Sequence, residues 1–519
     1  MTINAEVPVA ATRAGSAAAR PGQDAVAVAV AGQDADDSAS AADLVLPLVA
    51  VGGVGILAGY GYVRRTRRAR TRTTPGAASP VLPPSVSPRP PTTPLPVLER
   101  QAGAALVQAD DCVRAGRSEL AFAEARFGAT AVEPFALALR EAERELSAAF
   151  AIRLRYGQGF PEEEAARRHA LAGVVGRCAE AGRRLDAVAP GFDQLRALER
   201  DMNGALEIAE GRFRELTGRT GAVESALATL HTRYPAPATT PVTGYVEQAK
   251  DRLVFATTHL NQARQAADLG RTGQAVRELR AAEGAIGQAD TLLGAVDRLA
   301  DSLTGAADLV PAALTGAEAE RAGRSGRSGP TGATGPTDPT GDLDAVLAAV
   351  REELTGDRPY DPLAALRSVV RAVAALGAGP DGVLGTAAWL VGRSDVRAAD
   401  DFVATHRGAV GAGARTLLAE AQRLLGTDPG AAGELALRAR ESAEQDVRVH
   451  GNPYSGPAEH TAGAVLGGVL LGEDPDGGPP PAFGGPDTRK RGGPGEPGGP
   501  DPSEPGSGSG SDSGSVRTD

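Results

Sequence analysis

Lysine is nearly absent from this chain: of 54 basic residues only Lys250 and Lys490 are lysines. Isoleucine and asparagine are scarce too, so the arginine excess reflects GC-rich coding before it reflects chemistry. Aromatic residues make up 3% of the 519 positions and Trp389 is the sole tryptophan. Any core must then be built from Ala, Leu and Val, which favours close-packed helices over sandwiches or barrels. The two cysteines, Cys112 and Cys178, lack CxxC spacing, which excludes a disulfide framework or zinc site and leaves two buried, unreactive thiols. A net charge of -11 excludes the basic surface that neutralises phosphates, so no nucleic-acid partner is expected. There is no P-loop, no dinucleotide-binding glycine fingerprint, no HExxH and no nucleophile elbow. The six histidines, His169, His231, His259, His406, His450 and His460, do not pair at helical ligand spacing. The acidic runs Glu162, Glu163, Glu164 and Asp400, Asp401 read as helix starts or solvated faces. No catalytic residue, metal ligand or cofactor is assigned.

What is present is one long apolar run. Residues 44–63, LVLPLVAVGGVGILAGYGYV, carry no charge, and a helix of that length spans about 30 Å, the hydrocarbon thickness of a bilayer. The reading is a single transmembrane helix. Six arginines, Arg64, Arg65, Arg67, Arg68, Arg70 and Arg72, follow at once, whereas residues 1–43 carry two arginines against six acids. Positive flanks stay in the cytoplasm, so the amino end is expected outside and the body inside. Tyr60 and Tyr62 fall at headgroup depth, and Gly55 and Gly59 form a GxxxG that permits close helix approach in a glycine-rich span. Residues 1–43 have neither a basic n-region nor a following apolar stretch, and read as a disordered extracytoplasmic arm rather than a cleaved signal.

Residues 64–96 form a basic and proline-rich spacer. Nine prolines between Pro75 and Pro96 forbid a helix and favour an extended stalk. A helical, coiled-coil-like body is expected over 97–320, a flexible linker over 321–341, a second helical region over 342–450 and a disordered Gly/Pro-rich tail over 451–519. Within the body, helices are expected from Pro134 (Phe135, Leu139, Ala142, Leu146, Ala149), from Pro161 (Leu171, Val175, Cys178, Leu185, Val188), and through Phe192, Leu195, Met202, Leu206, Ala209, Phe213 and Leu216. The clearest unit is a pair of stripes around Gly270. Val246, Ala249, Leu253, Ala256, Leu260, Ala263 and Ala267 precede the glycine, and Ala275, Leu279, Ala282, Ile286, Ala289, Leu293, Val296, Ala300 and Leu303 follow it. Two stripes joined by so short a turn fold back as an antiparallel hairpin.

A second hairpin is expected about the turn at residues 427–430, with Val396, Ala399, Val403, Val410, Ala414, Leu417, Ala421 and Leu424 before it and Ala432, Ala436, Ala439 and Ala443 after it. ADDCV at 109–113 resembles ADDFV at 399–403, consistent with a degenerate repeat, although Ala/Leu-rich sequence matches itself readily. Residues 323–337 contain five Gly-X-Y triplets, too few for a collagen helix. AGAVLGGVLLG at 462–472 is too short to span a bilayer. It is either a partner-binding or membrane-touching segment or a docked strand or helix.

RRTRRARTRTTPG after the apolar run, ELAFAEARFG at 119–128, RLVFATTHLNQARQAADLG at 252–270, RVHGNPYSG at 448–456 and PAFGGPDTRKRGG at 481–493 together resemble the membrane-anchored TPM-domain proteins of high-GC Gram-positive bacteria. The resemblance implies the anchor, its topology and a long cytoplasmic helical region. In that family an extracytoplasmic α/β TPM domain precedes the membrane helix, and some TPM domains are described as acid phosphatases or metal-binding. Forty-three residues before residue 44 cannot hold such a domain, so none of its functional residues is carried over. The expectation is a mainly α, single-pass cell-membrane scaffold or adaptor. Its partners would be the membrane and either other proteins or its own copies, bound through helices. The alternative is a divergent or truncated member of a TPM-domain phosphatase-type family whose active domain is missing here.

Overall fold

Alanine and leucine at three-four spacing do what that spacing dictates, and the long elements are all helices. The computed structural model describes residues 93–325, 339–377, 381–450 and 482–491, with two short strands at 465–466 and 469–470. All fall within the unit Pro91–Asp519. In chain order the helices are α1 Leu95–Phe127, α2 Ala129–Gly157, α3 Glu164–Arg196, α4 Met202–Arg233, the single turn α5 Ala236–Thr239, α6 Tyr245–Asp268, α7 Thr272–Ser325, α8 Pro339–Thr355, α9 Pro362–Ala375, α10 Gly382–Thr405, α11 Ala412–Leu424, α12 Pro429–Val449 and the short α13 Pro486–Arg491. The strands β1 Val465–Leu466 and β2 Val469–Leu470 pair antiparallel inside the 462–472 apolar island, and Gly467 and Gly468 lie between them in the chain.

The hairpin about Gly270 is α6 folded onto α7. Gly270 takes φ 70°, open to glycine without strain, and its N–H bonds back to the Ala267 carbonyl at 2.9 Å. Every stripe residue named above is buried except Ala267 and Ala300, which pack at the edge. Helix α7 is the spine of the fold. Its 54 residues are about 80 Å long at 1.5 Å per residue, and α4, α6, α9 and α10 all pack along it. The second hairpin, α11 on α12, buries Ala414, Leu418, Ala421, Ala432, Ala436, Ala439 and Ala443. Its close fit on α10 depends on Gly392, where a methyl group would stand 2.3 Å from the Pro429 carbonyl oxygen.

Three apolar clusters result. One joins α1, α2 and α3, one surrounds α7 and reaches α4, α6, α8, α9 and the start of α10, and one joins α10, α11 and α12. The residues before and after the triplet segment thus share the core around α7, where Leu343, Leu347 and Val350 lie with Val310 and Ala313.

Several boundaries differ from the sequence reading. Helix α2 starts at Ala129 rather than Pro134, which lies inside it. Helix α3 starts at Glu164 rather than Pro161, because Glu163 is still extended at φ −67°, ψ 132°. Phe192 and Leu195 close α3 instead of opening the next helix. Ala197 turns left-handed at φ 44°, and Asp201 then caps α4 by accepting from Gly204 N at 3.1 Å. The structure also departs from an entirely disordered tail, since Phe483 is fully buried among α1, α2 and α3.

Candidate functional site

The two ADD motifs meet across the fold. On α1, Asp110 and Asp111 both grip Arg415 of α11, with Nη1 at 2.5 Å from Asp110 Oδ2 and 2.8 Å from Asp111 Oδ1. Arg415 is 1% exposed and also donates to two carbonyls at the entry to its own helix, Val410 (3.0 Å) and Arg407 (2.5 Å). Arg114, one turn along α1, bridges the motifs directly at 2.9 Å from Asp110 and 3.0 Å from Asp400 of α10. Arg298 of α7 holds Asp401 with both carboxylate oxygens, at 2.9 and 2.8 Å. Asp401 is therefore not on a solvated face as the charge pattern suggested, being only 15% exposed and consumed in an inter-helix pair, whereas the Asp400 side chain is 37% exposed.

A second cluster lies further along α1. Arg196, at the end of α3, sits 2.7 Å from Glu283 of α7 and 3.7 Å from Glu119 of α1, all three buried. Arg280 reaches Glu119 at 3.9 Å and Asp193 at 3.4 Å. A cleft of about 380 Å³ separates the two clusters, lined in part by Arg114, Ser118, Glu119, Glu283, Asp400 and Arg407.

Burial alone would raise the Asp110 carboxyl, but Arg114 and Arg415 hold it down at about 2. Glu283 goes the other way. Burial, helped by the neighbouring Glu119 carboxylate, outweighs the Arg196 contact and pushes it up to about 7. Burial likewise depresses Arg407, where Asp111 draws it up and the cations Arg489, Arg415 and Arg114 press it down. A carboxyl tuned near neutrality in a cleft is the kind of group that can move protons. Here its near neighbours are the Arg196 and Arg280 guanidinium groups and the Glu119 carboxylate.

Among the described residues no group of three or more His, Cys, Asp or Glu side chains could hold a metal ion. Both cysteines are free and buried, and burial pushes the Cys178 thiol up to about 12. Arg64, Arg65, Arg67, Arg68, Arg70, Arg72, Gly55, Gly59, Tyr60 and Tyr62, with the whole apolar run 44–63, lie outside the described residues. Among the described residues no helix is long and apolar enough to cross a membrane. The ionic clusters were not anticipated from the sequence. The only signal for them was the repeated ADD, which marked Asp110, Asp111, Asp400 and Asp401 without pairing them.

The chain is similar to two UPF0603 proteins from two strains of Mycobacterium tuberculosis, each 32% identical over 428 residues, covering 76% of this chain and 64% of the relative. It therefore spans less than two thirds of the length of the curated relatives it matches. No family model matches the chain, and no solved structure matches it.

Proposed function

We propose that the chain is a single-pass membrane-anchored scaffold or adaptor, tethered by residues 44–63 with its helical body in the cytoplasm. The observation that carries this reading is the pairing of Asp110 and Asp111 with Arg415 across some 300 positions of sequence. Buried ion pairs of this kind fix register between helices more than they add stability. A body locked in register suits presenting surfaces to partners. The anchor rests on the uncharged run and its arginine flank, and on nothing in the helical body.

Topology reporters fused at residues 40 and 100 test the tether. The expected signals are outside and inside respectively, scrambled when the six arginines are replaced by glutamine; the opposite pattern removes the orientation. Crosslinking in intact membranes tests the scaffold role. It is expected to capture complexes, and recovery of monomer alone where known complexes are captured counts against it. The resemblance to TPM-domain proteins favours a second reading, a divergent phosphatase. In that reading the active domain is missing from this chain, so it requires an in-frame TPM domain encoded upstream of Met1, whereas the scaffold reading requires none.

A further inference from the structure

Outside the ionic clusters, the least expected contact in the molecule is made by the ten residues 482–491. They lie on a groove between α1 and α3 that contacts the side chains of Phe483, Pro486 and Thr488 and the backbone at Gly485. Phe483 is fully buried. Its ring stacks on Phe192 at 4.3 Å between centroids and meets Phe135 edge-on at 6.2 Å. Gly116 on α1 lies beside that ring, where a methyl would be in ordinary contact at 3.6 Å. At Gly485 the two backbones touch, because a methyl would stand 2.2 Å from the Gly182 carbonyl oxygen. Conversely, a methyl at Gly182 would meet the Pro486 ring at 2.6 Å. Asp186 accepts from Gly485 N (2.9 Å), Asp487 N (3.3 Å), Thr488 N (2.9 Å) and Thr488 Oγ1 (2.5 Å). No hydrogen bond to this carboxylate from elsewhere is found among the described residues, so its recognition work is directed at the segment.

We propose that this groove is a recognition site for a linear Phe-Gly-Gly-Pro-Asp-Thr peptide, and that the partner it binds in trans is the same segment of a second copy of this chain. Two observations support exchange. Contacts made by one aromatic anchor, one glycine approach and one carboxylate are local to the segment, so any chain carrying it can make them. Residues 451–481 join the segment to His450, and the parts outside the β1–β2 hairpin, 451–464 and 471–481, can together extend to about 80 Å. That reach exceeds a groove on the same body and suits a neighbour's as well. The inference stands on the groove and is independent of the membrane tether.

The test uses the purified full-length chain and a fluorescent synthetic peptide of residues 480–492, followed by anisotropy. Phe483→Ala removes the anchor of the chain's own segment, and Thr488→Val loosens it more gently if the first variant fails to fold. The peptide is expected to bind these variants at least about tenfold more tightly than the wild type, whose own segment competes at an effective concentration on the order of millimolar. Adding Asp186→Asn is expected to abolish that binding. Mixing F483A chains, which keep the groove, with D186N chains, which keep the segment, is expected to give mixed dimers by sedimentation that neither variant alone supplies. Failure of the peptide to bind either segment variant, with helicity unchanged, overturns the recognition site and makes the segment a fixed part of the fold. Peptide binding without mixed dimers overturns the second copy as partner.

Discussion

At the scale of single residues, Arg415 is where one change does the most. Its removal leaves buried Asp111 without its hydrogen-bonded partner and Asp110 with Arg114 alone, and breaking a buried pair this way costs about 3–5 kcal/mol. Arg415→Met is expected to lower the chemical-denaturation midpoint accordingly, whereas replacing Arg423, 54% exposed in its pair with Glu420, is expected to change it little. Glu283 and Asp110 set opposite pH dependences. Asp110 is depressed, so its contribution is complete above the unfolded value of 3.8 and is lost only as pH falls through about 2. Glu283 is raised, so between 4.5 and about 7 the folded chain holds the extra proton and stability falls as pH rises through that window. Melting temperatures at pH 5 and pH 8 check this, because the decline between them is expected to shrink in Glu283→Gln. Native Cys112 and Cys178 are expected to resist iodoacetamide and to react only on unfolding.

The elements themselves were the legible part. The stripes on α6, α7 and α12 could be read residue by residue, because a helix sorts its faces locally and spacing alone reveals it. Starts were less legible: Asp201 and Ala197 act through one side chain and one backbone angle, which compete weakly with a continuous apolar pattern. The ionic clusters and the groove were not legible, since what joins Asp110 to Arg415 or Asp186 to Thr488 is proximity across about 300 residues of chain. Phrases used for the resemblance did contain Glu119, Arg252 and Phe483, all buried in the fold, but nothing in the sequence said why. The tight approach of α10 and α12 gives a test at this scale. Gly392→Ala must push back a backbone carbonyl, and overpacking of this kind is expected to cost about 1–3 kcal/mol, measured as a lowered denaturation midpoint.

For the helical unit as a whole, three apolar clusters are held together where charged groups cross between them. Arg415 ties α11 to α1, Arg298 ties α7 to α10, and Arg196 ties α3 to α7. Hydrogen exchange on Arg415→Met should therefore show protection lost together in α1 and in the α11–α12 hairpin, while the α6–α7 hairpin stays protected. Equal loss everywhere would mean that the clusters do not open separately.

Helix α7 is also a phase reference. It offers Glu283 to α3, Arg298 to α10 and Val310 to the α8 side from one unbroken screw. Each added residue turns everything beyond it by about 100°. One residue inserted between Glu283 and Arg298 would leave the first contact in place and aim the others away from their partners. Seven inserted residues come within about 20° of a full count of turns, shift the far contacts along the axis, and keep them facing the right way. The spacing along this helix is thus constrained in angle more tightly than in identity.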